Sequence, residues 1–186
     1  MELFPGLRID WLNGWLAVVL LGLTEGILFL AFPKKVVARL FDRSGWSQQQ
    51  RAFTVAGKLC ALVCLILIAL TPLKVESQVF MIGAILVALG LMGLVKALFD
   101  FKNTTLDEPV ARGIYRLSRH PQIVMATVAL LGTCIAIGSW PALVLLVAAT
   151  FLEHWGILAE EEICLKQYGD AYRAYLKRVP RYFVFF

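Results

Sequence analysis

Apolar residues run almost unbroken through five stretches of the chain, residues 12–32, 53–71, 79–99, 122–138 and 142–159, and polar residues collect between them. Each stretch is close to the about 20 residues a helix needs to cross the hydrocarbon core of a bilayer. The second and fifth are interrupted, by Lys58 and by Glu153 with His154. The pattern predicts an all-α protein: one membrane domain, a bundle of five transmembrane helices. Helices one to three would fill 1–101, a polar loop and a helical hairpin 102–159, and a C-terminal section 160–186. In that last section the period changes. Leu165, Tyr168, Tyr172, Leu176 and Val179 recur at spacings of three and four, with Lys166, Asp170, Arg173 and Lys177 between them. This predicts an amphipathic helix over 160–177 that lies on the membrane surface or covers the ends of the bundle. The aromatic tail 179–186 is expected to dip into the interface or pack on the bundle.

Composition agrees. The chain is 60% hydrophobic, with a mean hydropathy of +0.76, against about 45–50% apolar residues in soluble domains. The net charge of +5 is unevenly placed, which argues against a nucleic-acid partner. Fourteen of the 18 basic residues fall in the loop after helix one, the loop after helix three and the C-terminal section. Arg8 and Lys74 alone lie on the other side, and Lys58 and Lys96 can snorkel to an interface. The positive-inside rule then places the N-terminus outside and the C-terminus in the cytoplasm, in a bacterial inner membrane or the endoplasmic reticulum. The N-terminal apolar run has no signal-peptide layout, because Lys34 and Lys35 follow it and no cleavage site is evident. Cys60, Cys64, Cys134 and Cys164 lack metal-ligand spacing and read as small hydrophobes. Gly83, Gly90 and Gly93 suggest a helix-packing face. No strand precedes them, so they are not a dinucleotide fingerprint.

Two polar clusters bracket the hairpin that turns at Gly138, Ser139, Trp140 and Pro141. One is the basic stretch 112–121, ending in Arg119, His120 and Pro121; the other is Glu160, Glu161 and Glu162. Helical arms of similar length return both to one membrane depth. Pro121 suits a first helical residue, which puts His120 beside free backbone N–H groups and three arginines, a favourable place for an anion. The three glutamates could hold an ammonium group or ribose hydroxyls. Together the clusters would suit a zwitterion. The same residues also suit a plain positive-inside loop and a solvated helix start. Glu25, Glu153 and His154 are further candidates, since ionisable groups at membrane depth are functional by default.

The stretch Gly113, Tyr115, Arg116, Arg119, His120 and Pro121 is followed at the right distance by Glu161, Glu162, Leu165, Gly169, Tyr172, Tyr175, Val179 and Pro180. This two-part pattern resembles the isoprenylcysteine carboxyl methyltransferase and phospholipid methyltransferase superfamily of integral membrane enzymes. Ile123 and Ile157 depart from it, where relatives commonly carry a tyrosine and a basic residue. The resemblance implies S-adenosylmethionine as methyl donor, held by Gly113, Tyr115, Arg119, His120, Pro121, Glu161 and Glu162. It also implies a lipid-borne acceptor entering between helices. A prenylcysteine-like carboxylate is preferred here, since five spans match that branch. Arg178 would hold it and, with Glu162, serve the reaction. The alternatives are a phospholipid amine methyltransferase, a non-enzymatic membrane protein that keeps the scaffold, or a relative of the membrane sterol reductases, for which the chain is short.

Overall fold

The computed structural model describes residues 1–183. Six α-helices follow one another: α1 (Trp15–Ala31), α2 (Lys34–Leu40), α3 (Gln48–Leu70), α4 (Gln78–Lys102), α5 (Pro121–Ile137) and α6 (Trp140–Leu176). A 3₁₀ turn, Gly113–Arg116, precedes α5. Among the described residues no strand occurs. The expected all-helical class is therefore found, and each apolar stretch is a helix. Three of them, α3, α4 and α6, are long and apolar enough to cross a membrane. The other two, α1 and α5, are apolar but only 17 residues long, about 25 Å at helical rise.

Two helix pairs dominate the packing. α4 lies against α5 and α3 against α6, whereas α5 and α6 touch little although they form one hairpin. Glycine explains the first pair. A Cβ on Gly83 would strike the Gly132 carbonyl and Ala136, and one on Gly90 would strike Ala129 and the Met125 carbonyl. Backbones that close leave room for nothing larger. Gly93 faces the Met125 side chain, so the glycine series is the packing face its spacing suggested.

The end opposite the basic loops is sealed by a core of Cys64, Ile68, Cys134, Ile137, Ala142 and Leu146. The cysteines are free, and Cys64 and Cys134 are packed here as apolar residues. The N-terminal segment laces over this end. The Glu2 N–H donates to the Gly138 carbonyl at 2.7 Å and the Glu2 carbonyl accepts from the Trp140 N–H at 3.1 Å. Asn13, fully buried, donates its amide to the carbonyls of Arg8 and Ala69.

Two elements at the basic end were not foreseen. Pro33 caps the short helix α2. Its Val36, Val37 and Leu40 pack on the cluster of Phe32, Leu94 and Leu98 with residues of α1. The second is α6, which runs unbroken through the expected boundary at 159. Residues 140–159 span about 30 Å, one bilayer core, and the helix continues beyond as the amphipathic section. The only departure from helical geometry is Gly169, at φ 53° and ψ −124°, a region open almost only to glycine. The apolar stripe beyond it packs inward, with Tyr172, Tyr175 and Val179 buried against Ala111 and Leu165. It covers the bundle end. Of the tail, residues 184–186 lie outside the described residues.

Candidate functional site

The loop leading into α5 is shaped by one carboxylate. Asp100, near the end of α4, accepts the Ile114 N–H at 2.9 Å. Gly113 holds the chain there at φ +56°, and a Cβ at that position would collide with the Asp100 carboxyl group. The motif glycine therefore serves the backbone turn. Tyr115 is buried, donates its hydroxyl to Gln122 at 2.8 Å and lends its carbonyl to the Tyr175 hydroxyl at 2.7 Å. Burial drives its pKa far above the ordinary tyrosine value, so it remains a neutral donor.

The tail zips onto the same loop. The Arg119 N–H donates to the Pro180 carbonyl at 3.0 Å. Ser118 donates its hydroxyl to the Arg181 carbonyl at 2.8 Å and accepts the His120 N–H at 3.2 Å. Val179 and Pro180 thus return the chain to the start of α5 and deliver Arg181 to α6. His120 caps α5, with Pro121 as first helical residue, as the sequence predicted.

The two polar clusters meet. Arg119 Nη1 is 3.1 Å from Glu161 Oε1, and Arg181 grips the same carboxylate with two nitrogens, at 3.1 and 2.7 Å. His120 Nε2 stands 3.4 Å from Glu161 Oε1, and its Nδ1 is 3.6 Å from Glu160 Oε2. Burial alone would raise the Glu161 pKa. His120, Arg181 and Arg119 outweigh it and hold the group at about 2. Glu160 has no such clamp, and burial raises its pKa despite His120.

Beside this cluster opens a cavity of about 550 Å³, lined by Tyr115, Arg119, His120, Gln122, Glu160 and Cys164, with Tyr168, Tyr172 and Tyr175 along one wall. Residues of α2 and of the loop before Arg112 close its other side. The size suits a small-molecule or cofactor site. One buried polar atom of its lining residues, Arg119 Nε, has no hydrogen-bond partner among the described residues, while His120 turns Nε2 to the Glu161 carboxylate and Nδ1 towards Glu160. Unpaired buried donors of this kind are costly and fit a site that receives an anionic or polar ligand.

Of the expected site residues, Tyr115, Arg119 and His120 line the cavity, and Pro121 starts the helix beneath it. Glu161 does not line it; its carboxylate is consumed by the arginine clamp behind the wall. Glu160 takes the cavity-lining position instead. Glu162 points to solvent, paired with Lys166 at 2.9 Å. Arg178 is also away from the cavity. It is exposed on the last helical turn and donates to the Ala174 carbonyl of its own helix. The guanidinium that reaches the Glu161 clamp is Arg181, three residues on, and it too is absent from the cavity lining. Only the turn at Val179 and Pro180 hinted at it. Glu25, Glu153 and His154 also lie outside the cavity lining; His154 Nδ1 shares a hydrogen bond with the Tyr182 hydroxyl at 2.7 Å.

A family model of phospholipid methyltransferases matches residues 66–171, more than half of the chain. The chain belongs to the phospholipid methyltransferase family. The matched region runs from within α3 to just past Gly169, and so includes the loop, His120, Glu160 and Glu161. The family implies a methyltransferase in a membrane, in keeping with the apolar helices and with the two-part pattern in the sequence. No curated protein and no solved structure matches the chain.

Proposed function

We propose that this protein transfers a methyl group from S-adenosylmethionine to the amine of a lipid-borne acceptor at the cytoplasmic membrane face. The observation that carries the reading is the wall of the cavity, where Arg119 leaves a buried Nε–H unpaired and His120 stands beside the half-buried carboxylate of Glu160. The methionine end of the donor carries a carboxylate, and this wall offers it a guanidinium and an imidazole. The donor supplies an activated methyl on a sulfonium, a cation that also suits the faces of Tyr172 and Tyr175. Arg119 and His120 would hold its carboxylate, supported by the free N–H groups at the start of α5. Tyr115 and Gln122 would offer neutral hydrogen bonds.

An amine acceptor must lose a proton as the new N–C bond forms and the S–C bond breaks. Glu160, with a pKa raised by burial, is the carboxylate placed to receive that proton. The match to phospholipid methyltransferases supports the amine reading. The prenylcysteine-like carboxylate loses the guanidinium expected to hold it, because Arg178 lies outside the cavity. The rest of the work is alignment and exclusion of water.

The test is methyl incorporation from labelled S-adenosylmethionine by the purified protein in lipid nanodiscs, offered ethanolamine phospholipid or a prenylated thiol acid. Label is expected in the amine lipid. His120→Ala should weaken donor binding by about tenfold or more, about 1.4 kcal/mol. Label in the thiol acid alone would restore the carboxylate reading. A folded parent that does not bind S-adenosylmethionine would end both.

A further inference from the structure

The side of the cavity formed by α2 and by residues 105–110 is fastened by one arginine. Arg39, on α2, donates from Nη1 to the Thr105 carbonyl at 3.0 Å and from Nη2 to the Glu108 carbonyl at 2.8 Å and the Tyr168 hydroxyl at 2.9 Å. Tyr168 in turn donates to the Leu106 carbonyl at 3.2 Å. The guanidinium lies over two rings, 5.1 Å from Phe101 and 5.8 Å from Tyr168. One side chain thus joins α2, the end of α4, the loop and the outer half of α6. Among the described residues, the hydrogen bonds that tie 105–110 to the rest of the protein come only from Arg39 and Tyr168.

The loop is what closes the cavity here, since Leu106, Pro109 and Val110 line it together with Lys35 and Leu40 of α2. Arg39 has no acidic partner among the described residues. Two of its three acceptors are carbonyls of a segment without helix or strand, the third is the Tyr168 hydroxyl of α6, and they converge only in the arrangement seen. Guanidinium holds several oxygens at fixed angles, and an ammonium does not. A chemistry that needs a dry site also needs a way in and out for the donor and its product.

We propose that Arg39 is a positioning residue, the latch of a lid made by α2 and residues 105–110, and that its release sets exchange at the cavity. This rests on the reading of the cavity as a donor site only for what is exchanged. The opening itself is testable without any ligand. Cys164, which lines the cavity, is a native reporter: its labelling by a charged, water-soluble maleimide follows the population of the open form.

The experiment compares the parent with Arg39→Ala, Arg39→Lys and Tyr168→Phe. Labelling of the Cys164 peptide is followed by mass spectrometry in detergent, and association and dissociation of S-adenosylmethionine by stopped flow. Arg39→Ala should label about tenfold faster, about 1.4 kcal/mol in the opening equilibrium, at an unchanged unfolding midpoint. It should both bind and release S-adenosylmethionine faster. Tyr168→Phe should move the same quantities less. Arg39→Lys should resemble Arg39→Ala, because charge without the fork does not latch. Unchanged Cys164 labelling in folded Arg39→Ala overturns the latch. So does faster release with unchanged association, the mark of a lost ligand contact. If the parent binds no S-adenosylmethionine, the functional reading falls, and Cys164 labelling still decides the latch.

Discussion

Replacing Glu161 by glutamine should cost the fold before it costs chemistry. Glu161 is 7% exposed and its two oxygens face Arg119, Arg181 and His120. Glutamine keeps the shape, removes the charge and turns an N–H₂ towards a guanidinium. A carboxyl held at about 2, against an ordinary 4.5, corresponds to about 3 kcal/mol of stabilisation. Removing one partner of a buried ion pair costs about 3–5 kcal/mol, because the other charge is left uncompensated. The sign of the pH effect follows. The folded carboxyl gives up its proton more readily than the unfolded one, so its contribution is complete above about pH 4.5 and disappears as the pH falls towards 2. Unfolding in detergent should be followed from pH 7 downwards for the parent, Glu161→Gln and Glu161→Gln with Arg181→Gln. The single variant should be less stable by about 3 kcal/mol at pH 7 and lose less on acidification. The double variant should recover part of the loss, since one of the two orphaned guanidinium groups is gone. If Glu161→Gln unfolds with the parent's midpoint and acid response, the clamp does not hold this end of the protein together.

Two more expectations follow from single positions. Gly113→Ala should be among the most damaging small substitutions: the left-handed backbone alone costs about 1–2 kcal/mol, and the methyl would collide with Asp100; a parent-like unfolding midpoint would contradict this. For the topology, cysteines placed at the exposed positions Ser44 and Glu76, with Cys164 replaced by serine, should label from the cytoplasmic and the outer side respectively. Labelling of position 76 from the cytoplasm would overturn the orientation drawn from the basic loops.

What the sequence made legible is what local pattern controls. The first four apolar stretches became helices within a few residues of their ends, since length and hydropathy are local. The glycine face of α4 and the helix start at Pro121 were equally readable, because glycine and proline act through the backbone. What stayed hidden depends on rotation and on partners. α2 is seven residues with no periodicity to reveal it; it exists because Val36, Val37 and Leu40 find the Phe32 cluster. The boundary expected after Ala159 is absent because nothing in the three glutamates stops a helix, and the break comes only where Gly169 permits it. Arg178 and Arg181 could not be told apart by composition. The turn at Pro180 lies between them, and it leaves the first exposed and sends the second to the Glu161 carboxylate behind the cavity wall.

The three glutamates show why that rotation matters. Consecutive helical residues point about 100° apart, so a run of three must face three surroundings. Glu160 faces the cavity, and burial raises its pKa. Glu161 faces the returning tail and is held ionised at about 2. Glu162 faces solvent, where Lys166 and Gln50 lower its pKa. None of the three can take another's place without turning α6 against α3, and Gly156 fixes that turn by admitting Trp46 and Thr54 close to its backbone. The anchor and the cavity-facing carboxylate are therefore adjacent residues with opposite titration behaviour. Because Glu161 is locked by charge, Glu160 keeps a fixed aim at the cavity and remains free to change its protonation there.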